Sequence, residues 1–251
     1  MKFIRAFLVF CLLFGSDLWA APSKSKKVAN PQSIELNERG ANAVKNKDFT
    51  QAQEFFRQAL QADPGNATAA FNLAGIYLTL KNEPMAVSLL EGYVKEFPQD
   101  SGLQVRLGDS YFGTKDVNRA LEAYEKGYKL DPKYPGLANK LATIYGLTND
   151  VKKALSMLLA AVDQDPKNGQ LLSNLSSVFL ANGKTDEAIS TAKRALQIRA
   201  TPELYVTMGS AYESKKDPKN ALIAFKRAAD LGDPKPELAA KIKELTEKIE
   251  G

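Results

Sequence analysis

Histidine is missing from this 251-residue chain, and cysteine and tryptophan occur once each. Each absence removes some chemistry. Without histidine there is neither the usual general base nor the commonest metal ligand. The single Cys11 and the single Trp19 both fall within the first 20 residues. That segment has the layout of a secretory leader: Lys2 and Arg5, then the apolar run Ala6 to Phe14, then Leu18-Trp19-Ala20 with a small residue before the expected cut. The nine apolar residues of that run fall short of the roughly 20 that span a hydrocarbon core. A cleaved signal over 1–20 is therefore expected rather than an anchor. Phe10 stands where a lipid-attached Cys11 would want a small neighbour. Cleavage would leave no cysteine, and so no disulfide, thiolate nucleophile or sulfur ligand for zinc.

A strongly charged body is absent too. Of the formal charge of +5, the leader carries +1 and residues 21–32 carry +3, which leaves +1 from Ser33 onward. A nearly neutral body gives no electrostatic footprint for nucleic acid, so none is expected as a partner. The basic stretch APSKSKKVANPQ, residues 21–32, reads as a flexible, lysine-rich lead-in. Its lysines suit a solvated leader, with contact to acidic lipid head groups as the alternative.

What is present is a repeat. Residues 101–134, SGLQVRLGDSYFGTKDVNRALEAYEKGYKLDPKY, read as two helices around a tight turn. Leu107, Gly108 and Tyr111 share one face of the first helix, at the spacing of a buried stripe. Ala120, Tyr124 and Gly127 repeat that spacing on the second, and Asp131-Pro132 stops it. Small residues stand where the helices approach, and tyrosines where a gap needs filling. The pattern recurs over 33–66, 67–100, 101–134, 135–168, 169–201 and 202–235. Asp48, Asp116, Asp150 and Asp217 fall at one phase, as caps of second helices; Asn66, Asp100 and Asn168 fall at another, ahead of first helices. Pro84 and Pro218 sit where a second helix opens. Residues 236–251 form a last amphipathic helix, with Leu238, Ile242, Leu245 and Ile249 as its stripe, placed to cover the end of the stack. A coiled coil is the weaker reading of so short a helix.

This pattern resembles the tetratricopeptide repeat (TPR) family through its period of 34 and its Leu-Gly…Tyr…Ala…Phe…Pro signature. The resemblance implies an all-α fold: a right-handed superhelical solenoid of six antiparallel helix pairs and a C-terminal capping helix. It further implies a concave groove, lined by the first helix of each pair, that binds peptides or partner helices. Phasing puts Asn37 and Ala41, then Phe71, Asn72, Gly75 and Leu78, on that groove. Val105, Arg106, Asp109 and Phe112 follow, then Asn139, Lys140 and Thr143. Ser173, Asn174, Ser177, Val206 and Ser210 continue the line with small, hydroxylated surface. The partner-binding candidates are Asn37, Phe71, Asn72, Val105, Arg106, Asp109, Phe112, Asn139 and Lys140. The bland alternative is that these side chains pack against neighbouring repeats.

Chaperone-associated members of the family grip a C-terminal carboxylate with two lysines, two asparagines and a basic residue. Asn72 and Arg106 match that set; Asn37, Ala41 and Gly102 do not. A full carboxylate clamp is therefore not expected. The reading is a non-enzymatic scaffold exported from the cytoplasm, to a bacterial periplasm or secreted, that helps assemble a cell-envelope complex. No cofactor, metal ligand set or catalytic residue is assigned, and no membrane span beyond the leader. Two rivals stand beside it. One is a homo-oligomer assembling through the last helix. The other is a carboxylate-based enzyme, for which Asp109, read as an ion pair with Arg106, is the best candidate.

Overall fold

A computed structural model describes residues 30–232 and 235–250. The expected leader over 1–20 and most of the expected lead-in lie outside the described residues. Thirteen helices, and no strand, make up the described chain. They pair as α1 (Pro31–Lys45) with α2 (Phe49–Ala62), α3 (Ala67–Thr79) with α4 (Glu83–Glu96), and α5 (Ser101–Gly113) with α6 (Val117–Leu130). Then come α7 (Leu137–Leu147) with α8 (Val151–Gln164), α9 (Gly169–Ala181) with α10 (Thr185–Leu196), and α11 (Pro202–Ser214) with α12 (Pro218–Leu231). Helix α13 (Pro236–Glu250) packs on α12. Each helix packs on the next, and α1 touches α3, α3 touches α5 and α9 touches α11. The fold is an all-α helical-repeat solenoid.

Residues 30–32, expected to be part of the lead-in, instead belong to the start of α1. Asn30 caps α1, accepting from the backbone N–H groups of Gln32 and Ser33, and Pro31 and Gln32 are helical. The segment is tied down because Asn30 Nδ2 also donates to the Ala62 carbonyl at 2.9 Å. Ser33, fully buried, donates to the Ala59 carbonyl and accepts from Asn66 Nδ2.

The turn inside each pair is one motif used six times. Lys47, Lys81, Lys115, Asn149, Gly183 and Lys216 all have positive φ. In the third pair, Lys115 N–H reaches back to the Phe112 carbonyl and Asp116 N–H to the Tyr111 carbonyl. These two bonds close the end of a helix with a left-handed residue. Asp116 then caps α6 through the Arg119 N–H. One residue thus finishes a helix and starts the next. Asp48, Asp150 and Asp217 do the same, whereas Asn66, Asp100 and Asn168 only cap the starts of first helices. Lys184 and Gly136 stand at helix starts without a side-chain cap.

Packing inside the pairs follows matched sizes. A Cβ on Gly40, Gly108 or Gly209 would strike the ring of Phe56, Tyr124 or Phe225, well inside van der Waals contact. The same phase carries Ala74, Ala142 and Ser176 where the partner helix supplies Leu90, Leu158 and Ala192, all buried. Glycine meets aromatic; alanine or serine meets aliphatic. Two large core clusters result, one centred on α2 to α8 and one on α7 to α12, with Tyr128, Met157 and Val178 packed against both. Leu245 of α13 is buried against Ala221 and Phe225, with Leu238 and Ile242 beside them. Lys241 adds an ion pair to Glu213 at 2.8 Å. The last helix covers the apolar end of the final pair.

Candidate functional site

Helices α3, α5 and α7 present one face together. Three-and-four spacing on α5 sends Gly108 and Tyr111 into the pair and leaves Arg106, Asp109 and Phe112 on the shared face. Phe112 is 41% exposed. The Arg106 guanidinium lies over the Phe71 ring, 4.1 Å from its centre, a cation–π contact between α5 and α3. Asn72 Nδ2 donates to Asn37 Oδ1 at 2.9 Å, joining α3 to α1.

Two open clefts lie along this face. One, of about 310 Å³, is bounded by Ala41 and Val44 of α1, Asn72 and Gly75 of α3, and Arg106. The other, of about 420 Å³, is bounded by Leu78, Asp109, Phe112, Asn139, Lys140 and Thr143, with Lys81 and Glu83 from the α3–α4 corner. Six of the nine candidate residues line these clefts, and Asn37 and Phe71 join them through their contacts with Asn72 and Arg106.

Val105 does not. It is 3% exposed and projects towards Gly127 of α6 and the core around Leu137, so it is a packing residue. Reading it as groove-lining placed it one step too far round the helix. The expected Asp109–Arg106 ion pair is also absent. Asp109 Oδ1 instead accepts from Lys140 Nζ at 2.6 Å and from the Tyr124 hydroxyl at 2.6 Å. Burial, with the Asp109 charge and hydrogen bond, pushes the Tyr124 phenol far up from its ordinary value. Tyr124 therefore stays a neutral donor. The arrangement locks α5, α6 and α7 together and cancels the charge of Lys140.

Arg106 has no carboxylate partner among the described residues, and its Nε is buried without a hydrogen bond. Asn139 Oδ1 is buried and unpartnered as well. A donor and an acceptor on one face are thus left open. The sequence-based reading missed Tyr124 as the residue that holds Asp109, and Glu83 as part of the wall. Tyr124 matches the fold signature, which hid its second role. Glu83 reaches the face only because the α3–α4 corner brings it against Gly113.

The second half of the line differs. Ser177 Oγ lies 3.3 Å from Thr207 Oγ1 and donates to the Ser173 carbonyl. Thr207 donates to the Glu203 carbonyl, and Gln170 Nε2 donates to Asn174 Oδ1. These polar groups satisfy one another.

The helix pairs and their shared face define a helical-repeat protein of the interaction class. The family model for the tetratricopeptide repeat matches residues 43–105 and 111–178, and related models of the same repeat match 84–135, 171–205 and 202–231. The chain belongs to the tetratricopeptide repeat family, and membership supports a protein–protein interaction scaffold. Among solved structures it is similar to YrrB, described as a TPR protein with an unusual peptide-binding site. The TM-score is 0.70 at 19% identity, over 75% of this chain and 97% of that one. PilF of Pseudomonas aeruginosa gives a TM-score of 0.69 at 13% identity, over 86% and 97%. At these identities the likeness shows the fold alone. A curated relative, the Hsp70-Hsp90 organising protein of Plasmodium falciparum (isolate 3D7), is 28% identical over 109 residues. That match covers 39% of this chain and 19% of the relative. Among the described residues no helix is long and apolar enough to cross a membrane.

Proposed function

We propose that this chain is a non-enzymatic scaffold that holds a partner peptide or helix against the face of α3, α5 and α7. The observation that carries the reading is the pair of orphaned polar atoms, Arg106 Nε and Asn139 Oδ1. Each buried group left unpaired costs about 1–3 kcal/mol, and folded proteins tolerate few of them. A peptide backbone brings both the acceptor and the donor these atoms need. An acidic side chain of the partner pairs with the Arg106 guanidinium, since Lys140 is already neutralised by Asp109. An apolar side chain packs on exposed Phe112. The peptide-binding site described for YrrB supports this use of the fold. The relative's chaperone-organising name supports the carboxylate clamp less, because only Asn72 and Arg106 of that set are present.

The leader-like sequence of residues 1–20 supports export, and so a role in assembling a cell-envelope complex. In-cell crosslinking from a photoreactive residue at position 112 tests the binding reading. A discrete partner should be captured, and Arg106→Glu should abolish its capture while helicity is unchanged. Equal capture by the Arg106→Glu chain would refute the face as the binding site. Cell fractionation tests export independently: full-length chain, unprocessed and confined to the cytoplasm, would defeat it.

A further inference from the structure

The other side of the same helices carries a second feature, which the partner-binding reading does not use. Between α4 and α6 runs an open cleft of about 910 Å³, floored by α5. Val94 and Pro98 on one wall, Ala123 and Leu130 on the other, and Leu107 below make it apolar at depth.

In that floor sits Gln104. It is 7% exposed, and its side-chain amide has no hydrogen-bond partner among the described residues. Position by position, four of the five other repeats place a buried apolar residue at this phase, Leu36, Ala70, Ala138 and Leu172, and the last has half-buried Tyr205. Packing alone therefore asks for an alanine or a leucine here. Unlike Arg106 Nε and Asn139 Oδ1, the Gln104 amide is not sealed off, so it opens into the cleft and is free to meet a ligand there. Its amide offers one donor pair and one acceptor, the complement of a peptide group.

The lip of the cleft is charged. Lys95, Lys126 and Lys129 line it and form no ion pair with any described residue. Glu122 is the one unpaired acid beside them. Glu91 and Arg119 are held by each other at 3.5 Å, and Glu91 also accepts from the Tyr111 hydroxyl. The free charge of the lip is positive.

We propose that this cleft docks an extended, acidic segment of a partner protein. An extended strand suits it better than a helix, because a strand keeps its backbone N–H and C=O groups free for Gln104. Alternate side chains of a strand point to opposite faces, so apolar residues reach the floor while acidic ones meet the lysines. The partner is thus gripped on a face distinct from Phe112 and Arg106, and two segments are held at once.

The test uses a fluorescent ten-residue peptide alternating glutamate and valine, a matched peptide with lysine for glutamate, and anionic phospholipid vesicles. Binding of the acidic peptide in the cleft should move the Gln104 side-chain amide resonances. Combined Lys95→Glu, Lys126→Glu and Lys129→Glu changes should weaken it about tenfold or more, as several exposed charge pairs turn repulsive. Gln104→Leu, which restores the residue other repeats use, should weaken it about tenfold while the chain stays folded. Arg106→Glu should leave the shift at Gln104 unchanged. Three results would overturn the proposal: equal affinity for the lysine peptide, an undiminished response of the cleft in Gln104→Leu, or loss of the Gln104 shift in Arg106→Glu. Vesicle binding without peptide binding would assign the lysines to a membrane surface and overturn it as well.

Discussion

The first four repeats and the last two are built on one plan but leave their polar groups in opposite states. Around α3, α5 and α7, Arg106 Nε and Asn139 Oδ1 are buried and open. Around α9 and α11, Ser177, Thr207 and Asn174 are satisfied by near neighbours. The contrast extends to the anchoring tyrosines. Tyr111 donates to Glu91 and lies under Arg119; Tyr145 donates to Glu125 and lies under Lys153. One repeat further on, Phe179 has no hydroxyl, and Leu159, 47% exposed, stands where the glutamate was. The first region stores unmet hydrogen bonds on rigidly braced helices. The second is complete in itself. On the proposed reading, it is this combination of bracing and open hydrogen bonds that a partner would use.

The comparison can be broken most severely at Tyr111. Tyr111→Ala removes a buried ring and should cost about 3–5 kcal/mol in urea unfolding. A cost under about 1 kcal/mol would show that the bracing is ornamental. Alkali attacks the same braces. Burial, then the hydrogen bond to Glu91, pushes the Tyr111 phenol up to about 12, and Tyr124 and Tyr145 are raised also. The folded state therefore favours the neutral phenols. Their contribution is intact below the ordinary tyrosine value near 10 and declines as pH climbs from there towards 12. Unfolding midpoints followed between pH 9 and 12 should fall over that window, and Tyr111→Phe should flatten the decline.

Next in size is Gly108→Ala. The added methyl meets the Tyr124 ring, and overpacking of this kind costs about 1–3 kcal/mol. It should also loosen Lys140, which Tyr124 helps to hold through Asp109. The counterpart change in the second region, Ser176→Ala, removes only the bond to the Ala188 carbonyl. That should cost about 1 kcal/mol. Equal effects would erase the distinction. Lys115→Gly works in the other direction. Lys115 holds φ of 64°, and relieving a left-handed non-glycine residue should stabilise the chain by about 1 kcal/mol. The smallest effect is expected at Arg106. Arg106→Met loses the contact with Phe71 but also removes an orphaned donor, so unfolding should shift by less than about 0.5 kcal/mol. A substantial loss of stability would make Arg106 a structural residue.

Much of the architecture is legible in the amino-acid sequence, because helix pairs repeated at a fixed period state the same rule many times. Asp48, Asp116, Asp150 and Asp217 cap as their phase requires, and Gly108 faces Tyr124 as size matching demands. The site is less legible. A helical phase is certain only to within a fraction of a turn, so Val105, adjacent to Arg106, was assigned to the wrong side. Which charges pair depends on distances between repeats, which periodicity does not encode. Asp109 consequently finds Lys140 across to α7 rather than Arg106 one turn away on its own helix. Gln104 is inconspicuous in the sequence because it sits inside an apolar stripe, and only the cleft between α4 and α6 shows where its amide opens.

The corner within each pair has a mechanical consequence. Because Asp116 both closes α5 and opens α6, neither helix end can fray without releasing the other. The two helices of a pair therefore behave as one bracket with a welded elbow. Compliance is left to the joints between brackets, where Pro132 interrupts the chain and no such double closure occurs. A partner spanning α3, α5 and α7 would then gauge the pitch between brackets, and tension along the solenoid would change its grip without bending a single helix.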